Sequence, residues 1–413
     1  MSKSQPPSPS PATIPPDTPE ALAHALRLHQ EGNLDAALDC YRSYLAAVPD
    51  HAVALFYFAT ALANAGRPDE AVSIYQRCQA LAPERIEIAV NLGEVYQHLG
   101  RLDEAQEQYQ RVLAAQPDDP QAMIRLANVR LAAERAADAI VLYEAAAARG
   151  ASSANLLRAM ARCYLMLGRW DEAATACERV LAHAPYDAGA LALRGVARRE
   201  TQWRVNRIQA AQPAPSLFVV FPSPPAGYPS IAQFTTELAD ALLEYGDRAF
   251  APRDYTTRGG FQTGNLARVA RSPFAPLHAM LDDVIGCFIR AECAAARGPY
   301  LSRPVRDWRL HSWGTILGES GHQDAHIHRS AWLSGVYYVR VPPSVRAHDS
   351  TRAGWIEFGH PPSQYPVRGW YPLETIRPIE GMMLLFPSHL YHRTVPLAGN
   401  DVRISVAFDV LLR

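Results

Sequence analysis

One short segment of the chain concentrates side chains that can bind a metal ion. Residues 322–328 read HQDAHIH and contain three histidines and one aspartate. Alternate residues of an extended strand point to the same face. Four of the seven would therefore share one side of a strand: His322, Asp324, His326 and His328. Two such residues can reach one metal, and a third ligand must then come from another strand.

A second segment, LFPSHLYHRTVP, supplies candidates for that third ligand, His389 and His392. The following segment, VRISVAFDV, places Arg403 and Ser405 on the same face because they are two residues apart. An arginine can hold a carboxylate through two parallel hydrogen bonds. The Arg403 and Ser405 pair therefore suits the far carboxylate of a dicarboxylic co-substrate.

The C-terminal half contains the short apolar and alternating runs that predict strands. SGVYYVRV, GWIEF, GMMLLF and VRISVAFDV are separated by clusters of Pro, Gly, Ser and Asn. LFVVF, at residues 217–221, predicts a further buried strand, while residues 230–246 and 273–296 have apolar residues at helical spacing. Many short strands in one segment favour a double-sheet barrel of the jelly-roll or cupin kind, with two helices outside it.

The order of these motifs resembles that of the double-stranded β-helix 2-oxoglutarate oxygenases, which have a His-x-acid pair, a distal His and an Arg-x-Ser. More narrowly, HIHRSAWLSGVYYV, GWIEFG, LLFPSHLYHRTVP and RISVAFD resemble a bacterial and phage group of 2-oxoglutarate/Fe(II) oxygenases, some of them preceded by tetratricopeptide repeats. The resemblance covers about residues 215–413. It implies that Fe(II) and 2-oxoglutarate are cofactors, that His326 and His392 bind iron, and that Arg403 with Ser405 binds the co-substrate.

The chain departs from the superfamily pattern at one ligand. A triad of two histidines and one carboxylate is the usual signature of non-haem Fe(II) oxygenases, but this chain has His328 where the carboxylate is expected. The narrower group shares the His-x-His motif, so the resemblance implies a triad of His326, His328 and His392. The alternative near pair is His322 with Asp324, which reads literally as His-x-Asp.

Other assignments stay open at this point. His328 could orient a ligand instead of being one, and His389 could replace His392 as the distal ligand. Tyr337 and Tyr338 alternate across a strand, so one of them should face the core and the other the cavity. Either could hydrogen-bond the co-substrate, and we assign Tyr337 to this role.

The N-terminal half contains an internal repeat of 34 residues. Five alanines have this spacing, namely Ala37, Ala71, Ala105, Ala139 and Ala173, and a tyrosine follows the first four at four residues' distance. A turn residue precedes each alanine: Gly32, Gly66, Gly100, Glu134 and Gly168. This pattern resembles the tetratricopeptide repeat (TPR). About five helical pairs over residues 18–200 are therefore expected to stack into an all-α superhelix whose groove binds a protein or peptide. The alternative is that the array is only a rigid spacer or a dimer surface.

The composition excludes several classes of protein. The net charge of −1 favours neither nucleic acid nor an anionic membrane as a partner. No apolar run approaches the ~20 residues that span a bilayer. The six cysteines have no pair spacing, which is typical of reduced thiols. We expect a cytoplasmic protein, and the sequence does not determine its oligomeric state.

These features predict four regions in a multidomain chain. Residues 1–17 are rich in Pro and Ser and should be a disordered leader. The repeat superhelix follows over residues 18–200, then a linker over residues 201–216, and then the oxygenase-like domain over residues 217–413. The resemblance implies a dioxygenase that hydroxylates a protein, a peptide or another substrate recruited by the repeats.

Two functions of other classes remain open. The barrel could be degenerate, in which case the protein is a non-catalytic TPR scaffold. Alternatively, three histidines could form a cupin-type dioxygenase that does not use 2-oxoglutarate. Arg403 and Ser405 argue against this second alternative, because such an enzyme needs no site for a distal carboxylate.

Overall fold

The structure is a computed structural model. It describes residues 20–206, 217–250, 256–295, 300, 305, 307–345, 350–368, 374–399 and 401–413, with only the backbone of residues 205, 206 and 292–295. The predicted leader, residues 1–17, and most of the predicted linker, residues 207–216, lie outside the described residues. The chain forms two compact units, of which one ends at Leu167 and the other runs from Gly168 to Arg413.

The described part of the first unit is a series of helices joined by short turns. They are α1 (Glu20–Gln30), α2 (Leu34–Ala47), α3 (Ala52–Asn64), α4 (Pro68–Leu81), α5 (Ile86–His98), α6 (Leu102–Ala115), α7 (Pro120–Ala132), α8 (Ala136–Ala148) and α9 (Ala154–Met166). Their boundaries follow the 34-residue period of the sequence, so the predicted helical repeat is confirmed.

The repeated alanines and tyrosines form the interface between the two helices of each pair. The first four alanines of the series are fully buried, and so are the four tyrosines that follow them: Tyr41, Tyr75, Tyr109 and Tyr143. On α5, a Cβ atom added at Gly93 would lie 2.8 Å from the ring of Tyr109. Small residues therefore allow the close helix approach that the tyrosines fill.

A residue with a left-handed backbone ends the first helix of each pair. Glycine holds this position at Gly32, Gly66 and Gly100, with φ between 73° and 79°. In the fourth repeat the position is Glu134, with φ of 59°. The left-handed conformation costs an L-residue roughly 1–2 kcal/mol, because Cβ approaches a carbonyl oxygen. The geometry of the repeat therefore imposes a left-handed backbone conformation on Glu134, which a residue with a Cβ atom disfavours.

We predict that Glu134→Gly stabilises the first unit by about 0.5–1 kcal/mol, because glycine adopts positive φ without strain. The measurement is the urea midpoint of the full chain, followed by far-ultraviolet circular dichroism. Gly66→Ala is the matched opposite change and should lower the midpoint. A lower midpoint for Glu134→Gly would contradict the strain argument.

The second unit combines helices with an antiparallel β-rich region. Its helices are α10 (Trp170–His183), α11 (Ala188–Asn206), α12 (Ile231–Leu243) and α13 (Phe274–Ala295), with a 3-10 turn at Leu266–Arg268. Its strands are β1 (Phe218–Val220), β2 (Arg248–Phe250), β3 (Thr257–Thr263), β4 (Trp308–Gln323), β5 (Leu333–Arg340), β6 (Ile356–Phe358), β7 (Glu374–Ile376), β8 (Met383–Pro387), β9 (His392–Thr394) and β10 (Arg403–Leu412). No helix in the described ranges of the chain is both long and apolar enough to cross a membrane.

The strands form two sheets. The larger has the order β1-β8-β5-β10-β4-β3-β2 and the smaller has the order β7-β6-β9. All pairings are antiparallel. The predicted strands and the two predicted helices, α12 and α13, are thus confirmed, while closure into a jelly-roll barrel stays a prediction. The prediction that LFVVF is buried is wrong, because β1 is the first strand of the large sheet and Val219 and Phe221 are exposed.

Alternate residues of the central strands pack against different partners. On one face of the large sheet, Val406 and Phe408 of β10 and Tyr337 of β5 share a core with Phe234 of α12 and Leu281 of α13. On the opposite face, a second core joins residues of β5 and β8 to the small sheet: Val336, Tyr338, Leu384 and Phe386 pack with Ile356 and Phe358. One face is therefore covered by helices, and the other faces the small sheet.

The last helical hairpin belongs to the second compact unit, so the units divide before the linker that the sequence predicts. Glu200 of α11 is buried and accepts a hydrogen bond of 3.0 Å from the amide of Arg368. The rings of Tyr186 and Tyr300 lie 6.2 Å apart in an edge contact. These contacts attach α10 and α11 to the β-rich region.

Candidate metal centre

Three imidazoles converge between the two sheets. His326, His328 and His392 each offer a ring nitrogen, and these nitrogens lie within 4.8 Å of one another. His326 and His392 exchange backbone hydrogen bonds of 3.0 and 3.1 Å, and the amide of His328 donates to the carbonyl of Ser388 at 3.0 Å. These backbone hydrogen bonds therefore hold the main chain of all three histidines close together.

Two of the rings are oriented by backbone carbonyls. Nδ1 of His326 lies 2.6 Å from the carbonyl oxygen of Asp324, and Nδ1 of His392 lies 3.0 Å from that of Leu390. A carbonyl oxygen can only accept a hydrogen bond, so Nδ1 carries the proton in both rings. The lone pair of Nε2 is then free to bind a metal.

The third ring is oriented by a carboxylate. Oδ1 of Asp409 accepts hydrogen bonds from Nδ1 of His328 at 2.6 Å and from Oγ of Ser334 at 2.7 Å. Burial alone would raise the pKa of Asp409, but the charge and hydrogen bond of His328 and the hydrogen bond of Ser334 outweigh it and lower the pKa. Because Nδ1 of His328 is held by Asp409, Nε2 is the ring nitrogen left for a metal.

The sequence analysis does not identify Asp409 as a site residue, although its spacing in the strand indicates one. It follows Arg403 and Ser405 at even spacing in VRISVAFDV and so shares their strand face. A charged residue on a face that already holds an arginine could have been selected as part of the site.

Burial and mutual repulsion keep two of the imidazoles, those of His326 and His392, neutral. Burial, followed by the nearby His328, lowers the pKa of His326 to about 3. Burial and the two neighbouring histidines also hold the pKa of His392 well below its usual range. The ring centroids lie 4.2 to 5.2 Å apart, so protonation of more than one ring would place like charges together. Neutral rings are the form that coordinates metals.

The other candidate ligands lie outside this cluster. Asp324 is exposed and forms an ion pair of 3.0 Å with Arg258, and Nε2 of His322 lies 3.5 Å from its carboxylate. His389 is partly buried beside Tyr300, with ring centroids 4.5 Å apart, and loss of solvent around the ring lowers its pKa to about 4. The convergent set is therefore the all-histidine one, and its role as the metal ligand set stays a prediction.

Arg403 is a buried cation with unused hydrogen-bonding capacity. Its guanidinium donates to the carbonyl of Gly354 at 2.6 Å and to Oγ1 of Thr394 at 3.3 Å, while Nε has no partner. No carboxylate among the described residues forms an ion pair with it, and burial lowers its pKa. An unpaired buried charge is costly, so this position favours an anionic ligand.

A row of buried polar residues crosses the same face of the large sheet. Ser405 lies opposite Thr315 on β4 and opposite Tyr338 on β5, and Thr315 lies opposite Gln262 on β3. Residues that are opposite in an antiparallel pair share a face. The Tyr338 hydroxyl, Oγ1 of Thr315 and Oε1 of Gln262 are buried without a partner. Buried polar groups are rarely left unpaired, so the row suits a polar ligand.

Tyr337, which the sequence analysis assigns to the co-substrate, lies on the opposite face of the sheet from Arg403, and Tyr338 lies beside Arg403. The ring of Tyr337 packs against Phe234 of α12, at 6.2 Å between centroids, and thus lies on the helix-covered face. The ring of Tyr338 lies below Arg403, with 5.5 Å from the guanidinium carbon to the ring centroid. Neighbouring residues of a strand lie on opposite faces of the sheet, so only one of the two tyrosines can face the site. The helices cover the face that holds Tyr337.

Both halves of the chain match models of known protein families. Residues 311–409 match the family described as "Putative 2OG-Fe(II) oxygenase". Residues 22–86, 65–126 and 130–196 match models described as tetratricopeptide repeat. The N-terminal half thus contains tetratricopeptide repeats, and residues 311–409 are similar to the 2OG-Fe(II) oxygenase family. The oxygenase match begins at His311 on β4 and ends at Asp409, so it spans the three histidines and Arg403.

Solved structures that are similar to part of the chain include two that are described as TPR proteins. MamA is 20% identical, with a TM-score of 0.37 over 38% of this chain and 92% of its own. A TPR protein from Parabacteroides merdae ATCC 43184 is 16% identical, with a TM-score of 0.41 over 45% of this chain and 75% of its own. YrrB, described as a TPR protein with an unusual peptide-binding site, is 19% identical, with a TM-score of 0.36 over 40% of this chain and 84% of its own. No curated protein matches the chain by sequence.

We predict that the chain binds one divalent metal ion and that His326→Ala, His328→Ala and His392→Ala each weaken binding by about 100-fold or more, since even outer residues of a metal site contribute 10–100-fold. Anaerobic titration with Co(II), followed by visible absorption, measures this affinity. His322→Ala and Asp324→Asn are the controls and should leave it unchanged. Loss of binding in either control, with His328→Ala unaffected, would instead favour the His322 and Asp324 pair.

Proposed function

We propose that residues 217–413 form an Fe(II)- and 2-oxoglutarate-dependent dioxygenase with iron on His326, His328 and His392. The convergence of three imidazoles, each held through Nδ1 so that Nε2 is left for a metal, carries this proposal. Imidazole nitrogen is a ligand that suits Fe(II), and three ligands leave coordination positions open for other molecules. The match to the oxygenase family favours iron over the other metals that imidazoles bind.

The polar row beside the metal site would hold the co-substrate. Arg403 would bind the distal carboxylate of 2-oxoglutarate through its unpaired Nε, and the hydroxyls of Ser405 and Tyr338 would donate to the same anion. The anion would neutralise a cation that the fold otherwise buries without a counter-ion. The unpaired hydroxyl of Thr315 would supply a further hydrogen bond.

Fe(II) and 2-oxoglutarate, when bound, would supply a reaction in which dioxygen is the oxidant: 2-oxoglutarate is converted to succinate and carbon dioxide, one oxygen atom enters succinate, and the other enters a substrate C–H bond as a hydroxyl group. The chain contributes orientation and exclusion of water. The rings of Phe386 and Phe358 lie 4.7 and 6.0 Å from that of His392 and shield this side of the site. The ring of Trp313 stacks on His328 at 5.6 Å. Apolar walls of this kind limit side reactions of the oxidant with solvent.

A double-stranded β-helix would explain how the two sheets share this site. His392 begins a strand of the small sheet, and His326 bridges to it from the segment that follows β4. Arg403 belongs to the large sheet but donates to Thr394 of the small one. In this proposal the metal and the co-substrate lie between the sheets, as in a closed barrel.

The substrate proposal rests on the repeats. Stacked TPR units form a groove that recognises peptides or protein segments, and a large part of the N-terminal half matches that family. We therefore infer that the hydroxylated target is a protein or peptide brought to the oxygenase domain by the repeat array. Peptide-dependent release of succinate from 2-oxoglutarate by the full chain tests this inference.

We predict that Arg403→Gln weakens 2-oxoglutarate binding by about 100-fold, because a buried carboxylate then loses its charged partner. Anaerobic titration of the Fe(II) protein with 2-oxoglutarate measures this through the metal-to-ligand charge-transfer band. Fe(II) affinity should be retained. Arg340→Gln is the matched control, because Arg340 pairs with Asp240 at 3.3 Å near the surface, and its 2-oxoglutarate titration should follow that of the unchanged protein.

The same titration separates the alternative functions. If the unchanged protein binds Fe(II) but gives no charge-transfer band, the three-histidine dioxygenase without 2-oxoglutarate is favoured. If it binds neither, the site is degenerate and the protein acts through its repeats. A normal band in Arg403→Gln would show that another residue binds the distal carboxylate.

A further inference from the structure

We propose that Asp409 is a positioning residue that gives the metal, through His328, the negative charge that a directly bound carboxylate supplies in a two-histidine, one-carboxylate site. This inference rests on the proposed function only in identifying the metal as iron. The superfamily pattern has a carboxylate at the position that His328 holds in this chain. Asp409 supplies that carboxylate one imidazole ring further from the metal.

The contact geometry supports this role. The 2.6 Å hydrogen bond from Nδ1 of His328 to Oδ1 of Asp409 is short, and it joins two side chains that are each about one-tenth exposed. The hydroxyl of Ser334 holds the carboxylate from the neighbouring strand at 2.7 Å. A carboxylate that accepts from the outer nitrogen of a ligating histidine fixes the ring and makes its inner nitrogen a stronger donor.

The charge of Asp409 is not used elsewhere in the described structure. No arginine or lysine among the described residues forms an ion pair with it, and the residue opposite it on β4 is His311. Its neighbours along β10, Phe408 and Val410, are buried apolar residues. An ionised carboxylate in such a place is costly unless a positive charge offsets it. A divalent metal on His328 would be that charge.

A purely structural role predicts a different pattern. If Asp409 only satisfied the hydrogen bonds of Ser334 and His328, then an amide oxygen of the same shape would serve as well. Asparagine retains an acceptor for both donors but removes the charge. Asp409→Asn therefore separates the electrostatic role from the packing role.

The experiment compares Asp409→Asn with the unchanged full chain and with Asp240→Asn, an exposed carboxylate-to-amide change on α12. Fe(II) affinity is measured anaerobically against a competing chelator. We expect Asp409→Asn to weaken it by about 10–100-fold, the usual effect of an outer partner of a metal ligand. Asp240→Asn should have no effect.

The charge-transfer band gives a second readout that packing alone would not change. At saturating Fe(II) and 2-oxoglutarate, the band of Asp409→Asn should move to shorter wavelength, because a less electron-rich iron gives up an electron less readily. If Asp409→Asn does not fold, Ser334→Ala tests the same contact by removing one of the two hydrogen bonds that hold the carboxylate, and it should weaken Fe(II) binding.

Unchanged Fe(II) affinity and an unchanged band in Asp409→Asn would overturn the proposal, as would unchanged affinity in Ser334→Ala if only that variant folds. These outcomes differ from failure of the proposed function, in which the unchanged protein itself binds no Fe(II). If it binds Fe(II) without a charge-transfer band, the affinity comparison alone still decides the role of Asp409.

Discussion

The pair of backbone hydrogen bonds between His326 and His392 is the constraint on which the candidate site depends. These bonds join the segment after β4 to the first residue of β9, and so connect the large sheet to the small one. Side chains alternate along a strand, so a shift of one residue at this bridge would turn one ring away from the other. The position of His328 follows from the same bridge. His328 comes two residues after His326, and its amide donates to the carbonyl of Ser388 in the segment that leads to His392.

Strand β10 supplies the second constraint by dividing its residues between two environments. Val406, Phe408 and Val410 pack against the helices, while Arg403, Ser405 and Asp409 lie on the opposite face. Burying three polar side chains on one strand is unfavourable unless they are paired. Apolar burial on the helix side fixes the strand register, and this register places the arginine and the aspartate at the two ends of the site.

The sequence predicts those features that depend on local spacing. The 34-residue period identifies the buried alanines and tyrosines, and alternation places Arg403 and Ser405 together. The sequence does not show which of Tyr337 and Tyr338 faces the site. Strand alternation puts them on opposite faces, but only the packing of the helices shows which face is the covered one. Nor does the sequence show that Asp409 binds His328, 81 residues away, or that Glu200 binds Arg368, 168 residues away. Such contacts arise from the packing of distant segments.

The identities of residues 328 and 409 are linked through electrostatics. In the proposed site, the two positive charges of the metal and that of Arg403 are balanced by Asp409 and the two carboxylates of the co-substrate. An acid at position 328 would add a further negative charge beside Asp409, and like charges in a buried site repel strongly. A histidine at position 328 avoids this repulsion and also transmits the charge of Asp409 toward the metal. The missing carboxylate ligand is therefore consistent with a working site, provided that the outer carboxylate is present.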